Sequence, residues 1–187
     1  DLFSATNFLI ENESELHINP NNLVISGSSA GAISVMQAEY EIANQTSWAK
    51  ALPDGFNYAG VMSFAGAIFS HEGKVDFKTT PCPVMMLHGT ADAIVPYTQI
   101  AIFNLGFFGG GKLVERFKKY DLNYNMYHFI DYGHEIAGSM ETTMDLQRRF
   151  LETNVMQGKK RIIEAWISDP DVYKGVGVQS RKELYSK

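Results

Sequence analysis

Ten residues constrain this chain more than any others: Asn22-Leu23-Val24-Ile25-Ser26-Gly27-Ser28-Ser29-Ala30-Gly31. Asn22 to Gly27 is a short apolar, β-branched run ended by glycine, the pattern of a strand buried on both faces. From Ala30 to Tyr40 the spacing is helical. A strand that passes into a helix through so few residues makes a very tight turn, and the side chain at its apex, Ser29, is expected to point outward. Backbone neighbours crowd such an apex, so the positions two before and two after it are expected to need glycine, as Gly27 and Gly31 provide. The plainer alternative is a glycine-rich turn that closes a strand, and the flanking strand and helix favour the outward-presenting turn.

The rest of the chain repeats the alternation. Leu2, Ala5, Leu9 and Leu16, with Phe8 beside them, recur at roughly helical spacing, and the pattern stops near Asn19-Pro20-Asn21. Residues 44–57 show no period and read as a connection able to wall a pocket. Residues 58–65, 83–87 and 124–130 are strand-like, with the apolar run Ala59 to Ser70 taken as one buried strand. Residues 112–120 and 140–154 look helical. Gly109-Gly110-Gly111 lacks the Gly-Lys-Ser/Thr ending of a phosphate loop and reads as a flexible loop. Strands alternating with helices predict an α/β fold, a mostly parallel sheet with helices on both faces. No repeat or Pro/Ser-rich linker divides the chain. Residues 1–155 are therefore read as one domain and 156–187 as a largely polar C-terminal extension that wraps the surface or reaches a partner, with an apolar group at Ile162, Ile163, Trp166 and Ile167.

Composition narrows the function classes. With 16 Lys plus Arg against 21 Asp plus Glu, the formal charge is −5; phosphate neutralisation needs clustered basic residues, and this mild acidic excess argues against it, so no nucleic-acid partner is expected. The longest mostly apolar stretch is too short to span a bilayer. Cys82 stands alone, which excludes an intramolecular disulfide and cysteine-rich zinc sites, and it reads as a small buried hydrophobe. The five histidines show no metal-ligand spacing, so no metal and no cofactor are expected.

A serine hydroxyl presented outward is a weak nucleophile and needs a histidine base and an acid to orient it. Both have candidates after Ser29. Asp92 lies in His88-Gly89-Thr90-Ala91-Asp92-Ala93-Ile94-Val95-Pro96, just past the end of the apolar run PVMML. His134 lies in Asp131-Tyr132-Gly133-His134-Glu135, before the last helix. Open parallel sheets place their sites at that strand end. The Ala30 amide, at a helix N-terminus, is the expected oxyanion donor. Glu135 is the rival acid, disfavoured because it is adjacent to His134. His88 reads as structural rather than site-lining, and His17, His71 and His128 as surface or packing residues. Asp131 and Asp145 read as solvated. Trp48, Phe56, Tyr58, Phe103, Phe107 and Phe108 fit a pocket lining and a packed core equally well.

The three motifs GSSAG at 27–31, HGTADAIVP at 88–96 and YGHE at 132–135 stand in the order serine, acid, histidine. Together they make residues 1 to about 155 resemble the C-terminal part of an α/β-hydrolase of the esterase/lipase superfamily, of the dienelactone-hydrolase-like or polyhydroxybutyrate-depolymerase-like kind. The resemblance implies Ser29 as nucleophile, Asp92 as orienting acid, His134 as general base and acid, and a small-molecule ester as substrate. The related alternatives are a serine peptidase of the prolyl-oligopeptidase type and a catalytically idle scaffold. Such hydrolases carry several strands and an oxyanion loop before the nucleophile turn, where this sequence has one helix. The expectation is a fragment or processed product, its second oxyanion donor supplied by an N-terminal segment or another chain, with self-association as a further possibility.

Overall fold

The computed structural model describes residues 1–168. In chain order the helices are α1 (Leu2–Glu11), α2 (Glu13–Leu16), α3 (Ala30–Ala43), α4 (Gly110–Lys119) and α5 (Met144–Phe150). The strands are β1 (Val24–Ser28), β2 (Gly60–Phe64), β3 (Ala67–Ser70), β4 (Val84–Gly89), β5 (Gln99–Ile102), β6 (Leu105–Gly109), β7 (Tyr124–Phe129) and β8 (Ile163–Ile167). Five of them form a wholly parallel sheet in the order β1-β2-β4-β7-β8, and β3, β6 and β5 form a separate antiparallel sheet.

The central strands are buried along their whole length because the sheet is covered on both faces. Alternate residues serve opposite layers. Val84 and Met86 of β4 join Val35 and Met36 of α3 and Leu113 and Phe117 of α4. Met85 and Leu87, pointing the other way, join Ile136 of the turn His134–Gly138 and Phe150 of α5. The expected α/β architecture with helices on both faces is the one observed.

Several boundaries differ from the sequence reading. The first helix breaks at Asn12, whose side-chain amide donates to the Phe8 carbonyl at 2.7 Å, and α2 ends at His17 in the left-handed region. The run Ala59 to Ser70 is two strands, not one: Ala65 takes φ 56°, so the chain leaves the parallel sheet and β3 pairs with β6 instead. The triple glycine is not a flexible loop; Gly109 closes β6 and Gly110 and Gly111 open α4. The helix expected over 140–154 starts at Met144 and widens into a π-helical turn, Leu151–Met156. Past residue 155 the chain does not merely wrap the surface, because Ile163–Ile167 adds the fifth strand of the main sheet. The sheet therefore crosses the expected domain boundary, while residues 169–187 of the extension lie outside the described residues.

The connection 44–57 does wall a cavity of about 510 Å³, lined among others by Ile42, Lys50, Asp54 and Asn57. It sits at the C-terminal end of α3, about 20 Å along the helix from Ser29 at a rise of ~1.5 Å per residue. On the inner side of α3, Glu39 is 3% exposed; its Oε1 accepts the Cys82 amide at 2.8 Å, and its Oε2 is buried without a hydrogen-bond partner among the described residues. Burial pushes the Glu39 carboxyl up to about 7, against the lowering pull of its hydrogen bond from the Cys82 amide. Cys82 is buried as expected. Of the aromatic candidates, Tyr58 and Phe108 belong to the core, whereas Trp48 and Phe103 are exposed. No helix of the described residues is long and apolar enough to cross a membrane.

Candidate active site

Three strands deliver the site to one edge of the sheet. Ser29 follows β1, Asp92 follows β4, and His134 follows β7, all beyond the C-terminal ends of parallel neighbours. Ser29 sits at φ 53° and ψ −117°, a backbone state that costs a non-glycine residue roughly 1–3 kcal/mol and that the surrounding fold must impose. It is imposed from both sides: the Ser29 amide donates to the Phe64 carbonyl at the end of β2 (2.9 Å), and the Ser29 carbonyl accepts from the Ile33 amide of α3 (3.0 Å). The two glycines are unequal. A Cβ on Gly27 would lie 2.2 Å from the Gly31 carbonyl oxygen, but one on Gly31 would meet nothing within 4 Å. The expectation that both must lack a side chain holds for Gly27 and fails for Gly31, which already lies in α3.

The side chains converge. Ser29 Oγ is 2.8 Å from His134 Nε2, and His134 Nδ1 is 2.8 Å from Asp92 Oδ2. Asp92, with no side-chain exposure, is ionised and can only accept, so His134 must carry its proton on Nδ1 and present a bare Nε2 to the serine hydroxyl. The other carboxylate oxygen, Oδ1, accepts the amides of Ile94 (2.9 Å) and Val95 (3.0 Å). Burial alone would raise the Asp92 pKa; hydrogen bonds from His134 and His88 outweigh it and hold the carboxyl down at about 2.

The acid and histidine loops are also tied to each other. The Ala91 amide donates to the Tyr132 carbonyl (2.9 Å), the Thr90 amide to Phe129 (2.9 Å), and the Asp131 amide to Thr90 Oγ1 (2.9 Å). Gly89 makes this approach possible, since a Cβ there would lie 2.3 Å from the carbonyl oxygens of both Tyr132 and Gly133. Between the serine turn and the histidine segment, a tie besides the Ser29–His134 contact runs from Ser28 Oγ to the Ala137 carbonyl at 2.6 Å.

Ala30 is exposed and opens α3, so its amide has no preceding carbonyl of the helix to bond. Glu135 does not approach the Nδ1 side of His134; its Oε1 accepts the Gly133 amide at 2.9 Å. Asp131 and Asp145 are exposed, as are His17 and His71, whereas His88 and His128 are buried. Sequence reasoning missed the parts of Ser28, Gly89 and Thr90; Gly89 and Thr90 lie within the 88–96 motif and Ser28 within 27–31. No group of three or more His, Cys, Asp or Glu able to hold a metal occurs among the described residues.

A parallel sheet covered on both faces, with a serine turn after one strand and the acid and histidine loops after two of its neighbours, is an α/β-hydrolase fold. Among solved structures the chain is similar to MGS-M1, an alpha/beta hydrolase enzyme from a Medee basin deep-sea metagenome library, at 19% identity and a TM-score of 0.53. The likeness covers 81% of this chain and 62% of that one, so the chain spans less than two thirds of that protein's length. No family model and no curated protein matches the sequence.

Proposed function

We propose that the chain is a serine carboxylic ester hydrolase that works through an acyl-serine intermediate. The observation that carries the reading is the unbroken hydrogen-bond line from Ser29 Oγ through both ring nitrogens of His134 to the buried Asp92 carboxylate. The likeness in fold to an alpha/beta hydrolase enzyme supports the same reaction class.

His134 Nε2 takes the Ser29 proton as Oγ attacks the ester carbonyl carbon, and the carbonyl π electrons move onto oxygen. The Asp92 carboxylate stabilises the imidazolium, and the Ala30 amide donates to the oxyanion. When the tetrahedral species collapses, His134 returns the proton to the departing alcohol, leaving Ser29 acylated. Water then adds by the same route, releases the acid and restores Ser29. A single oxyanion donor is worth a factor of roughly 10² to 10³ in such chemistry, which sets the weight resting on Ala30.

The test is a fluorophosphonate probe followed by intact mass and peptide mapping, then a panel of esters and a peptide substrate. One adduct on Ser29, absent in His134→Ala, with turnover of esters in preference to the peptide, is the expected result. Folded protein that takes up no probe overturns the reading in favour of an idle scaffold, and turnover of the peptide alone overturns it in favour of a peptidase.

A further inference from the structure

We propose that His88 is a positioning residue for this site: its Nε2–H holds the Asp92 carboxylate and the turn that carries it, so that Asp92 meets His134 in one orientation. The inference rests on the hydrolase reading for its kinetic consequence, but not for its geometry.

His88 lies near the end of β4 and is 1% exposed. Its Nδ1 accepts the Gly110 amide at 3.2 Å, which leaves the ring proton on Nε2. That Nε2–H donates to the Val95 carbonyl at 3.2 Å, and Asp92 Oδ2 in the same turn lies 3.4 Å from the same nitrogen. The longer contact is to a charged acceptor, which draws a donor more strongly at equal distance than a neutral carbonyl does.

Asp92 Oδ2 thus stands between two imidazoles, His134 on the solvent side and His88 on the core side, while Oδ1 is held by two amides. Without His88, Oδ2 is held by His134 alone, so the imidazole that the carboxylate has to orient becomes the only side chain that orients the carboxylate. The ring itself has little freedom. Tyr97 packs edge-on against it at 5.7 Å between centroids, its register partner on β7 is His128, and Tyr97 is in turn fixed by a 2.7 Å hydrogen bond to His128 Nδ1.

The experiment compares wild type, His88→Leu, which removes the donor, and His88→Gln, which can place an amide nitrogen near the position of Nε2. Turnover of a p-nitrophenyl ester is expressed per Ser29 titrated with fluorophosphonate, so that unfolded protein does not count, and the proton on His134 Nδ1 is followed as its downfield ¹H resonance. The Leu variant is expected to lose about 10- to 100-fold in kcat, the range for one hydrogen bond to a charged group, with KM little changed. Its His134 Nδ1–H resonance should move or broaden, and the Gln variant should recover both. Unchanged kcat per titrated site and an unmoved resonance in the Leu variant overturn the proposal, as does a Gln variant no better than Leu. If wild type neither labels nor turns over, the hydrolase reading fails by itself, and the resonance still decides whether His88 holds Asp92.

Discussion

Replacing Glu39 by Gln tests a buried carboxyl that lies outside the candidate active site. In the folded chain its pKa stands at about 7 against an ordinary 4.5, so the fold favours the protonated form. Below pH 4.5 both the folded and unfolded chains are protonated and the site has no effect on stability. As pH rises from 4.5 to 7 the unfolded chain ionises while the folded one holds its proton, and stability falls. Above 7 both are ionised and the loss is complete, at roughly 3 to 4 kcal/mol for carboxyl values of 4.5 and about 7 at ~1.4 kcal/mol per pH unit. The amide of the Glu39→Gln variant keeps an acceptor for the Cys82 N–H but has no proton to lose. Urea unfolding of wild type and Glu39→Gln at pH 5, 6, 7 and 8, with the m-value checked for constancy, isolates the effect because every other titrating group cancels in the difference. Wild type should lose ground to the variant steadily across this range, by about two to three kcal/mol in all on the same per-unit scale. A difference that stays constant with pH would refute the argument that Glu39 is forced to ionise inside the core.

The serine turn offers a paired test: Gly27→Ala should fail to fold or lose probe labelling, because its Cβ meets a backbone oxygen at 2.2 Å, while Gly31→Ala should label normally and melt slightly higher. Asp92→Asn should lower ester turnover by about 10⁴-fold, since a neutral amide no longer fixes the His134 tautomer, with circular dichroism unchanged at pH 7. Asp92 is held below its unfolded pKa, so it adds stability above pH 4 that is lost as pH falls toward 2, and wild type but not Asp92→Asn should show that component in acid unfolding. Phe150→Ala, emptying a fully buried position on the α5 face, should destabilise by about 3–5 kcal/mol in urea unfolding.

The parallel sheet was readable because its strands are buried on both faces, and strands such as VMML at 84–87 have no polar residue to suggest anything else. The three candidate site residues could be picked out because tight turns and strand ends impose short local patterns, and the fold brings them together. The β5–β6 hairpin left no such mark: β5 is exposed throughout, β6 carries exposed Leu105 and Phe107, and a hairpin with apolar residues facing water looks like neither a core strand nor a loop. The exit of the chain after β2 depends on Ala65 adopting positive φ, which the residue type does not advertise. The contacts of His88 were hidden for a different reason, since its Gly110 partner lies 22 residues away at the start of α4.

The ties between the loops after β4 and β7 give the site an unequal mechanics. Three backbone-anchored bonds and the close approach at Gly89 weld the carboxylate and the imidazole into a single rigid body. The serine turn is joined to them more indirectly, through β2 of the shared sheet, by the Ser28 to Ala137 bond and by the triad contact itself. Of the two triad distances, the one between Asp92 and His134 is thus braced by direct ties between their loops, and the one between His134 and Ser29 by the Ser28 hydroxyl and the sheet.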